Sequence, residues 1–402
     1  TTLVASADNA TIALDTTTNA FTGALTITTN DSSGTDADVT IDGGTTALII
    51  AASTIDGDLT LTSGNASGIT DSGTVTVGGN ASLTTDANNG VINMGTMAVD
   101  GSFTLAPHGT GAVTIVNDAA LTLAASTMGG TFSGTATTGN ITDSGALAIT
   151  GATTLVASAD NATIALDTTT NAFTGALTIT TNDSSGTDAD VTIDGGTTAL
   201  DIAASTIDGD LTLTSGNVSG ITDSGTVTVG GNLSATTDAN AGVINLGTMA
   251  VDGTIALTTN STGAATIVND AALTFAASTV GGALTATATT GDITDSGTLT
   301  ITGASIFKTG ATGSNIVLDS ASNAYSAAVT MIADAGGETF GNITFVDSAA
   351  IDFATSASSN GDLYINAATD GAVGGNLSVT ATTGNITDTA ALTVSGTTTL
   401  VA

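Results

Sequence analysis

The stretch ITDSGTVTV at residues 69–77 shows the pattern that decides the fold. Its valines alternate with threonine in a short burst, and the aspartate, serine and glycine before them are residues that favour turns. The same phrase returns with small changes at Ile141, Ile221, Ile293 and Ile386. Threonine and glycine dominate, and no helical apolar stripe is sustained. A strand-and-turn unit that recurs along the chain therefore predicts an all-β repeat protein.

The phrase belongs to a longer repeat, because residues 1–48 recur without a change at residues 153–200. We predict one continuous array over residues 1–402. It comprises a long repeat at 1–152, a second copy at 153–304, a shortened third copy at 305–397 and the start of a further copy at 398–402. Since TTLVA ends the sequence and also opens the first two copies, we expect this sequence to be part of a longer array.

Weaker copies of the phrase lie between the clear ones, and aligning them gives a spacing of about 25 residues, which is typical of solenoids. The predicted coil starts are Ile12, Val39, Ile69, Ile92, Val113, Ile141, Ile164, Val191, Ile221, Ile244, Ala265, Ile293, Ile316, Ile343, Leu363 and Ile386. Each coil holds about three short strands. We predict a right-handed parallel β-solenoid, or β-helix, because crossovers between parallel strands are right-handed.

The two long copies predict which side chains point inward, since residue n corresponds to residue n+152. Ile49 becomes Asp201 between positions that stay apolar, so residue 49 is predicted to point outward. Ala81 and Leu83 become Leu233 and Ala235, an exchange that keeps the summed volume of two inward neighbours constant. The predicted inward set is Leu48, Ile50, Val75, Val77, Leu83, Val99, Leu105, Leu123, Ile149 and Leu155, with Ile49 and Val156 outward.

The charge is one-sided: 36 acidic residues face a single lysine, Lys308, and the net charge is −35. Nucleic-acid binding is excluded, because affinity for phosphates comes from lysine and arginine. Anionic membrane surfaces are disfavoured for the same reason, and the lack of an apolar run of about 18 residues argues against membrane insertion. Cysteine is absent, so disulfides and thiolate metal sites are excluded.

The same composition argues against an enzyme. Polysaccharide lyases and hydrolases also use β-helices, but their chemistry needs basic residues that abstract a proton or hold the substrate, together with calcium-binding aspartates or paired carboxylates. The only histidine, His108, becomes Asn260 in the second copy, so we expect it in an exposed turn. Lys308 is expected at a solvated outward position. We predict no catalytic residues.

Stacked coils are expected to bring aspartates together, with Asp15 near Asp42, Asp42 near Asp71, and Asp143 and Asp167 in equivalent positions. Two carboxylates about 4.8 Å apart repel by roughly 1 kcal/mol in water. Solvation and salt offer one relief and bound calcium another. The oxygen-rich loop at 30–38 and its copy at 182–190 support calcium, although their spacing fits neither an EF-hand nor the GGxGxDx repeat. The predicted calcium ligands are Asp31, Asp36, Asp38, Asp183, Asp188 and Asp190.

The phrases ITDSGTVTVGG at residues 69–79 and TIALDTTTNAFTGALTI at residues 11–27 resemble the β-strand repeats of filamentous-haemagglutinin-like giant surface proteins of bacteria. The likeness covers nearly the whole chain. It implies a right-handed β-helical shaft that is exported across the outer membrane and acts as an adhesin or surface fibre. The secretion domain of that family is not part of this sequence.

We therefore expect a non-catalytic extracellular structural protein at the bacterial cell surface. Its expected partners are flanking repeats or other copies of itself, in end-to-end or lateral assembly, and a cell-surface or polysaccharide ligand. Two alternatives stay open. Thr-x-Thr steps such as Thr26–Thr28, Thr60–Thr62 and Thr74–Thr76 would form rows of threonine that resemble ice-binding solenoids, although threonine also suits the outer face of any strand. A calcium-stabilised surface-layer or sheath component is the other.

Overall fold

The structure, a computed structural model, describes residues 1–32, 34, 36–184, 186, 188–333, 341–354, 362–365, 372–373 and 375–402. Its strands are stacked in parallel in about 17 coils of ~22 residues. The predicted all-β solenoid is confirmed, whereas the right-handed sense of the coil stays a prediction.

The chain divides into two compact units, one formed by Thr1–Leu200 with Thr206–Asp208 and the other by Asp201–Ser205 with Gly209–Ala402. The strands that begin before residue 200 are β1 (Thr2–Val4), β2 (Ile12–Leu14), β3 (Thr26–Thr28), β4 (Val39–Asp42), β5 (Leu48–Ile50), β6 (Ser53–Ile55), β7 (Leu59–Ser63), β8 (Ile69–Asp71), β9 (Val75–Val77), β10 (Ala81–Thr85), β11 (Ile92–Val99), β12 (Ser102–Ala106), β13 (Val113–Asn117), β14 (Leu121–Leu123), β15 (Ser126–Met128), β16 (Phe132–Ala136), β17 (Ile141–Asp143), β18 (Leu147–Ile149), β19 (Thr153–Asp160), β20 (Ile164–Leu166), β21 (Ala172–Phe173), β22 (Leu177–Asn182) and β23 (Val191–Asp194).

The remaining strands are β24 (Leu200–Ile202), β25 (Ser205–Ile207), β26 (Leu211–Ser215), β27 (Ile221–Asp223), β28 (Val227–Val229), β29 (Leu233–Thr237), β30 (Ile244–Val251), β31 (Thr254–Thr259), β32 (Ala265–Asn269), β33 (Leu273–Phe275), β34 (Ser278–Val280), β35 (Leu284–Ala288), β36 (Ile293–Asp295), β37 (Leu299–Ile301), β38 (Ser305–Thr309), β39 (Ile316–Leu318), β40 (Ala324–Tyr325), β41 (Val329–Ile332), β42 (Ile343–Asp347), β43 (Ile351–Phe353), β44 (Asp362–Ile365), β45 (Ala372–Val373), β46 (Leu377–Ala381), β47 (Ile386–Asp388), β48 (Thr393–Val394) and β49 (Thr398–Val401).

The alternation of apolar and polar residues places one side of each strand in the core. Successive side chains of a strand point to opposite faces, and in β9 Val75 and Val77 are buried on either side of the exposed Thr76. All ten residues of the predicted inward set are buried. Ile49 is 39% exposed, as predicted, and Val156 is half-buried. Leucine, isoleucine and valine that stack from coil to coil therefore form a narrow continuous core within each unit.

The coils are shorter than the predicted 25 residues because the predicted starts mix different sides of the coil. Val39 pairs with Leu59 of the next coil, whereas Ile69, the predicted next start, pairs with Leu48 on another side. Seven steps along one side lead from Ile12 to the corresponding Ile164, through the pairings of β2 with β4, β4 with β7, β7 with β10, β10 with β12, β12 with β14, β14 with β17 and β17 with β20. The 152-residue repeat thus spans seven coils.

Buried serine hydroxyls connect neighbouring coils at places where their strands do not pair directly. Ile27 donates its backbone N–H to Oγ of Ser53 at 2.9 Å, and this hydroxyl donates to the backbone oxygen of Ala51 at 2.7 Å. Ser126 takes the same part for the backbone N–H of Leu105. A buried backbone N–H needs a partner. These hydroxyls provide an acceptor for the strand N–H at the point where the following coil makes a corner.

Candidate functional site

The aspartate of the ITDSG phrase binds the middle of the following strand, where the register of that strand shifts. Asp71 accepts the backbone N–H groups of Gly95 at 2.9 Å and Thr96 at 2.6 Å. Asp223, its counterpart in the second copy, accepts the corresponding N–H groups of Gly247 and Thr248 at 2.7 and 2.6 Å. The carboxylate therefore holds the point at which the register of β11, and of its counterpart β30, shifts.

The same aspartate performs a different task where the next coil has a longer corner. Asp143 accepts the backbone N–H groups of Asp167 and Thr168, both at 3.3 Å, and the side-chain amide of Asn171 at 2.7 Å. The buried Asn171 in turn accepts the backbone N–H of Leu147 at 2.8 Å. One carboxylate thereby supports both a corner and a buried amide.

A second corner carries a ladder of aspartate and asparagine oxygens. Oδ1 of Asp38 accepts the backbone N–H of Asp58 at 2.8 Å, and Oδ1 of Asp58 accepts that of Asn80 at 2.7 Å. Oδ1 of Asn80 then accepts the backbone N–H of Ser102 at 2.9 Å. In this series each side chain bonds the backbone of the residue one coil further along the chain.

These bonds change the expected electrostatics of the acidic residues. Asp143 and Asp167 do lie in successive coils, but the predicted approach of Asp42 to Asp71 is wrong. Asp42 pairs with Thr62 on one side of the coil, whereas Asp71 pairs with Ile50 on another, because the predicted register stepped between sides. Backbone N–H groups supply the carboxylates with charge-assisted hydrogen bonds, a relief of repulsion that the sequence reasoning missed.

The predicted calcium ligands are only partly brought together. A Cβ at Gly34 would lie 3.2 Å from Oδ2 of Asp31 and 3.8 Å from Oδ2 of Asp36, so these two carboxylates share one turn. Asp38 is engaged with Asp58, as described above. Asp183 and Asp188 flank Gly186 in the same way, at 3.1 and 3.7 Å. Asp190, the counterpart of Asp38, completes the predicted second set.

Residues 33, 35, 185 and 187 of these two loops lie outside the described residues. Within the described part of the chain, no group of three or more histidine, aspartate or glutamate side chains could hold a metal ion. Calcium binding at the loops stays a prediction.

A shallow groove occurs at equivalent positions of the two units, with volumes of about 230 and 310 Å³. The first groove is lined by Thr74, Gly95, Thr96, Met97, Val116, Asp118 and Thr137. The second is lined by Thr226, Gly247, Thr248, Met249, Val268, Asp270 and Thr289. Each groove is lined by three hydroxyls, one carboxylate and one methionine. Neither lining includes a lysine, an arginine or a histidine.

The two basic side chains singled out in the sequence lie apart from these grooves. His108 is exposed, and its Nδ1 accepts the backbone N–H of Asn89 at 3.3 Å. Lys308 is half-buried in β38, where it pairs with Thr287 and Ile332 of the neighbouring coils.

In the part of the chain that the structure describes, we find no helical segment with the length and apolar character that a membrane span requires.

A family model described as "Repeats of unknown function" matches five segments, at residues 36–106, 110–180, 188–247, 262–332 and 366–402. Together these segments cover well over half of the chain. Neither the curated proteins nor the solved structures contain a match to this chain.

Proposed function

We propose, from the premise that this chain belongs to the family "Repeats of unknown function (DUF5649)", that it is a non-catalytic structural protein whose solenoid forms a shaft or surface fibre outside a bacterial cell. The observation that carries the proposal is that acidic side chains accept hydrogen bonds from the backbone of the next coil. Asp71, Asp143 and Asp58 all accept backbone N–H groups of the following coil. Side chains that would serve chemistry in an enzyme here hold the backbone together.

Coil-on-coil pairing also suits a protein that works by its length. In a solenoid each coil contacts its neighbours, so added coils extend the structure without creating a new folding problem. The parallel pairings of Val113 with Phe132 and of Phe132 with Thr153 illustrate this principle. The outermost coil of a solenoid has strands with unpaired N–H and C=O groups. Further coils of the same kind, or other copies of the chain, are the partners that would pair with them. No cofactor is required for this role.

The resemblance to filamentous-haemagglutinin-like repeats supports the location at the cell surface and an adhesive role. A cell-surface or polysaccharide ligand would then be bound by the outer faces of the coils. The net charge of −35 favours solubility and opposes lateral bundling unless cations offset the repulsion.

Labelling of source cells with an antibody against the repeat tests this proposal. We expect immunogold particles along fibres on intact cells, and longer or bundled fibres after a divalent cation is added to isolated material. Cells that also express a cytoplasmic marker provide the control for membrane integrity. Label that appears only after permeabilisation, together with short uniform particles in isolated material, would refute the surface-fibre function.

Binding of ice or another ligand by a threonine-rich face is a second candidate, favoured by the strand register. The side chains of Thr114, Ser133, Thr154 and Thr178 stand in one outward row of consecutive coils, because these residues pair in β13, β16, β19 and β22. Thermal hysteresis of the purified chain, compared with a Thr154→Lys variant, is the measurement. A freezing point equal to that of a matched acidic protein would remove this candidate.

A calcium-stabilised sheath or surface-layer component is the third candidate, supported by the shared turns of Asp31 with Asp36 and of Asp183 with Asp188. A cation that binds only the folded chain stabilises it by mass action. We expect millimolar calcium to raise the melting temperature above that in chelator and sodium of matched ionic strength, and an Asp31→Asn/Asp183→Asn variant to lose the difference. Equal melting in both solutions would leave salt screening alone.

A further inference from the structure

A buried asparagine closes the coil in each long copy. Asn117 is fully buried at the end of β13, and the backbone N–H of Val99 donates to its Oδ1 at 2.9 Å. Its Nδ2 donates to the backbone oxygens of Val99 at 3.0 Å and Ala120 at 2.7 Å. Asn269 makes the same set of three bonds in the second copy. The side-chain amide takes the place of a neighbouring strand, because it both accepts and donates hydrogen bonds to the backbone.

In the shortened third copy an aspartate occupies a similar hydrogen-bonded place at the end of a strand. The sequence VNDAA at residues 116–120 becomes VDSAA at residues 346–350, and Asp347, at the end of β42, is only 3% exposed. Its Oδ1 accepts the backbone N–H groups of Tyr325 and Ala349, both at 3.3 Å. Tyr325 thus donates to Asp347 as Val99 donates to Asn117. An ionised carboxylate only accepts hydrogen bonds, so Asp347 can donate as Asn117 does only when it holds a proton.

The surroundings of Asp347 also disfavour charge. Tyr325 is 3% exposed and its Oη has no hydrogen-bond partner, whereas Phe173 fills the corresponding place in the copy before. Burial raises the pKa of Tyr325 well above its usual range, and the charges of Asp295 and Asp347 raise it further. Burial likewise raises the pKa of Asp347, although N–H donors, including those of Tyr325 and Ala349, oppose this.

Among the described titratable groups near this coil, Asp295 and Asp352 have hydrogen-bond partners of their own. Asp295 lies on the coil below and accepts the side-chain amide of Asn323 at 2.7 Å. Asp352, on the strand that follows Asp347, accepts the hydroxyls of Thr387 and Thr389 at 2.6 and 2.9 Å. The chain's only lysine, Lys308, extends from a different strand, β38. Protonation is therefore the way in which Asp347 can gain a donor.

We propose that Asp347 is a proton-sensitive closing residue: the end of β42 is held firmly to the preceding coil at Tyr325 when Asp347 is protonated, and is loosened when its carboxylate ionises. The sign follows from the raised pKa. A group that binds its proton more tightly in the folded chain contributes stability that is complete below its ordinary pKa of 3.8. That stability is lost as the pH rises through the raised value of the folded chain. The inference rests on the fold and not on the surface-fibre function.

Substitution of Asp347 by asparagine tests the proposal, with hydrogen exchange in the full chain as the readout. The backbone N–H of Ser348 donates to the oxygen of Asn323 at 2.8 Å and reports whether the coil is closed. The corresponding N–H of Asp118, bound to Met97 at 2.9 Å, is the internal reference. We expect Asp347→Asn to slow exchange at Ser348 by about tenfold at pH 7, because the amide can donate the hydrogen bond that an ionised carboxylate cannot, and one buried hydrogen bond contributes roughly that factor.

The pH dependence of this effect separates titration from packing. The advantage of Asp347→Asn should shrink as the pH falls toward 4, while exchange at Asp118 should be the same in both proteins at each pH. The reciprocal change, Asn269→Asp, should transfer the same pH dependence to the second copy. Equal exchange at Ser348 in the wild type and the Asp347→Asn variant, or an advantage independent of pH, would overturn the proposal.

A Tyr325→Phe variant identifies the titrating group. Phenylalanine stands at the equivalent position 173, so the change removes the unbonded hydroxyl with little change in shape. We expect the pH-dependent difference that Asp347→Asn causes in the wild type to persist when the same substitution is made in the Tyr325→Phe variant. Its disappearance would show that the tyrosine, and not Asp347, controls the closing of the coil.

Discussion

The copies at residues 1–152 and 153–304 pack the same internal stack with different side chains. In the first copy the stack contains Leu59, Ala81, Phe103 and Leu123 on consecutive coils. In the second copy it contains Leu211, Leu233, Ile255 and Phe275. All eight side chains are buried. The small residue moves out of this stack in the second copy, and the phenylalanine moves one coil further along.

A compensating change lies in the neighbouring stack. Leu83 packs between Leu61 and Leu105 in the first copy, and its counterpart is Ala235. Volume is therefore exchanged between adjacent inward positions, as close packing requires. Outward positions show no such compensation: Ile49 of the first copy becomes Asp201 in the second, and Val156 of the second copy becomes Lys308 in the third. The comparison indicates that inward residues change together, so that their summed volume is kept, whereas each outward residue changes independently.

An unpaired charge in the stack of Leu61, Leu83 and Leu105 should destabilise the protein the most. Leu105 is fully buried and is leucine in both copies, so Leu105→Asp places an unpaired carboxylate in an apolar interior. We expect a loss of more than about 4 kcal/mol in the free energy of unfolding, or no folded protein. The control is Thr104→Asp, one residue away on the outer face, which should melt near the wild-type temperature. Equal melting of both variants would overturn the assigned register.

A turn that both copies retain comes next in expected effect. Gly68 has a φ of 60°, and a Cβ there would lie 1.8 Å from the backbone oxygen of Val91. Gly68→Ala therefore combines left-handed backbone strain with overpacking and should cost at least about 2 kcal/mol. Gly23→Ala, where no heavy atom lies within 4 Å of the added Cβ, is the matched control. Chemical denaturation of both variants measures the difference, and similar midpoints would contradict the close approach.

The exchange of volume predicts a cost that can be repaired. Leu83→Ala alone should lose about 2–5 kcal/mol, because it leaves a cavity between Leu61 and Leu105. Adding Ala81→Leu, Phe103→Ile and Leu123→Phe recreates the packing of the second copy. The combined variant should then lie within about 1.5 kcal/mol of the wild type. Strictly additive losses in denaturation experiments would show that the two copies do not share one internal template.

The sequence predicted the architecture well because alternation and turns are local signals. The inward set was correct at positions such as Val75 and Leu155, where period two alone decides the face. The coil length was wrong because the ITDSG phrase lies on different sides of the coil, in β8 and β17, and these sides look alike in sequence. The N–H partners of Asp71 were not predictable, since they depend on the register between strands 24 and 25 residues apart.

A substitution at outward position 49, which differs between the copies, should change the stability least. Ile49 is 39% exposed in β5, between the buried Leu48 and Ile50. Because Asp201 already occupies the equivalent position, Ile49→Asp should change the free energy of unfolding by less than about 1 kcal/mol. Ile50→Asp, the adjacent inward change, supplies the contrast and should be severely destabilising. Melting of the two variants side by side therefore measures how sharply one strand separates core from solvent. A loss above about 2 kcal/mol for Ile49→Asp would mean that the first copy depends on its outer face in a way that the second does not.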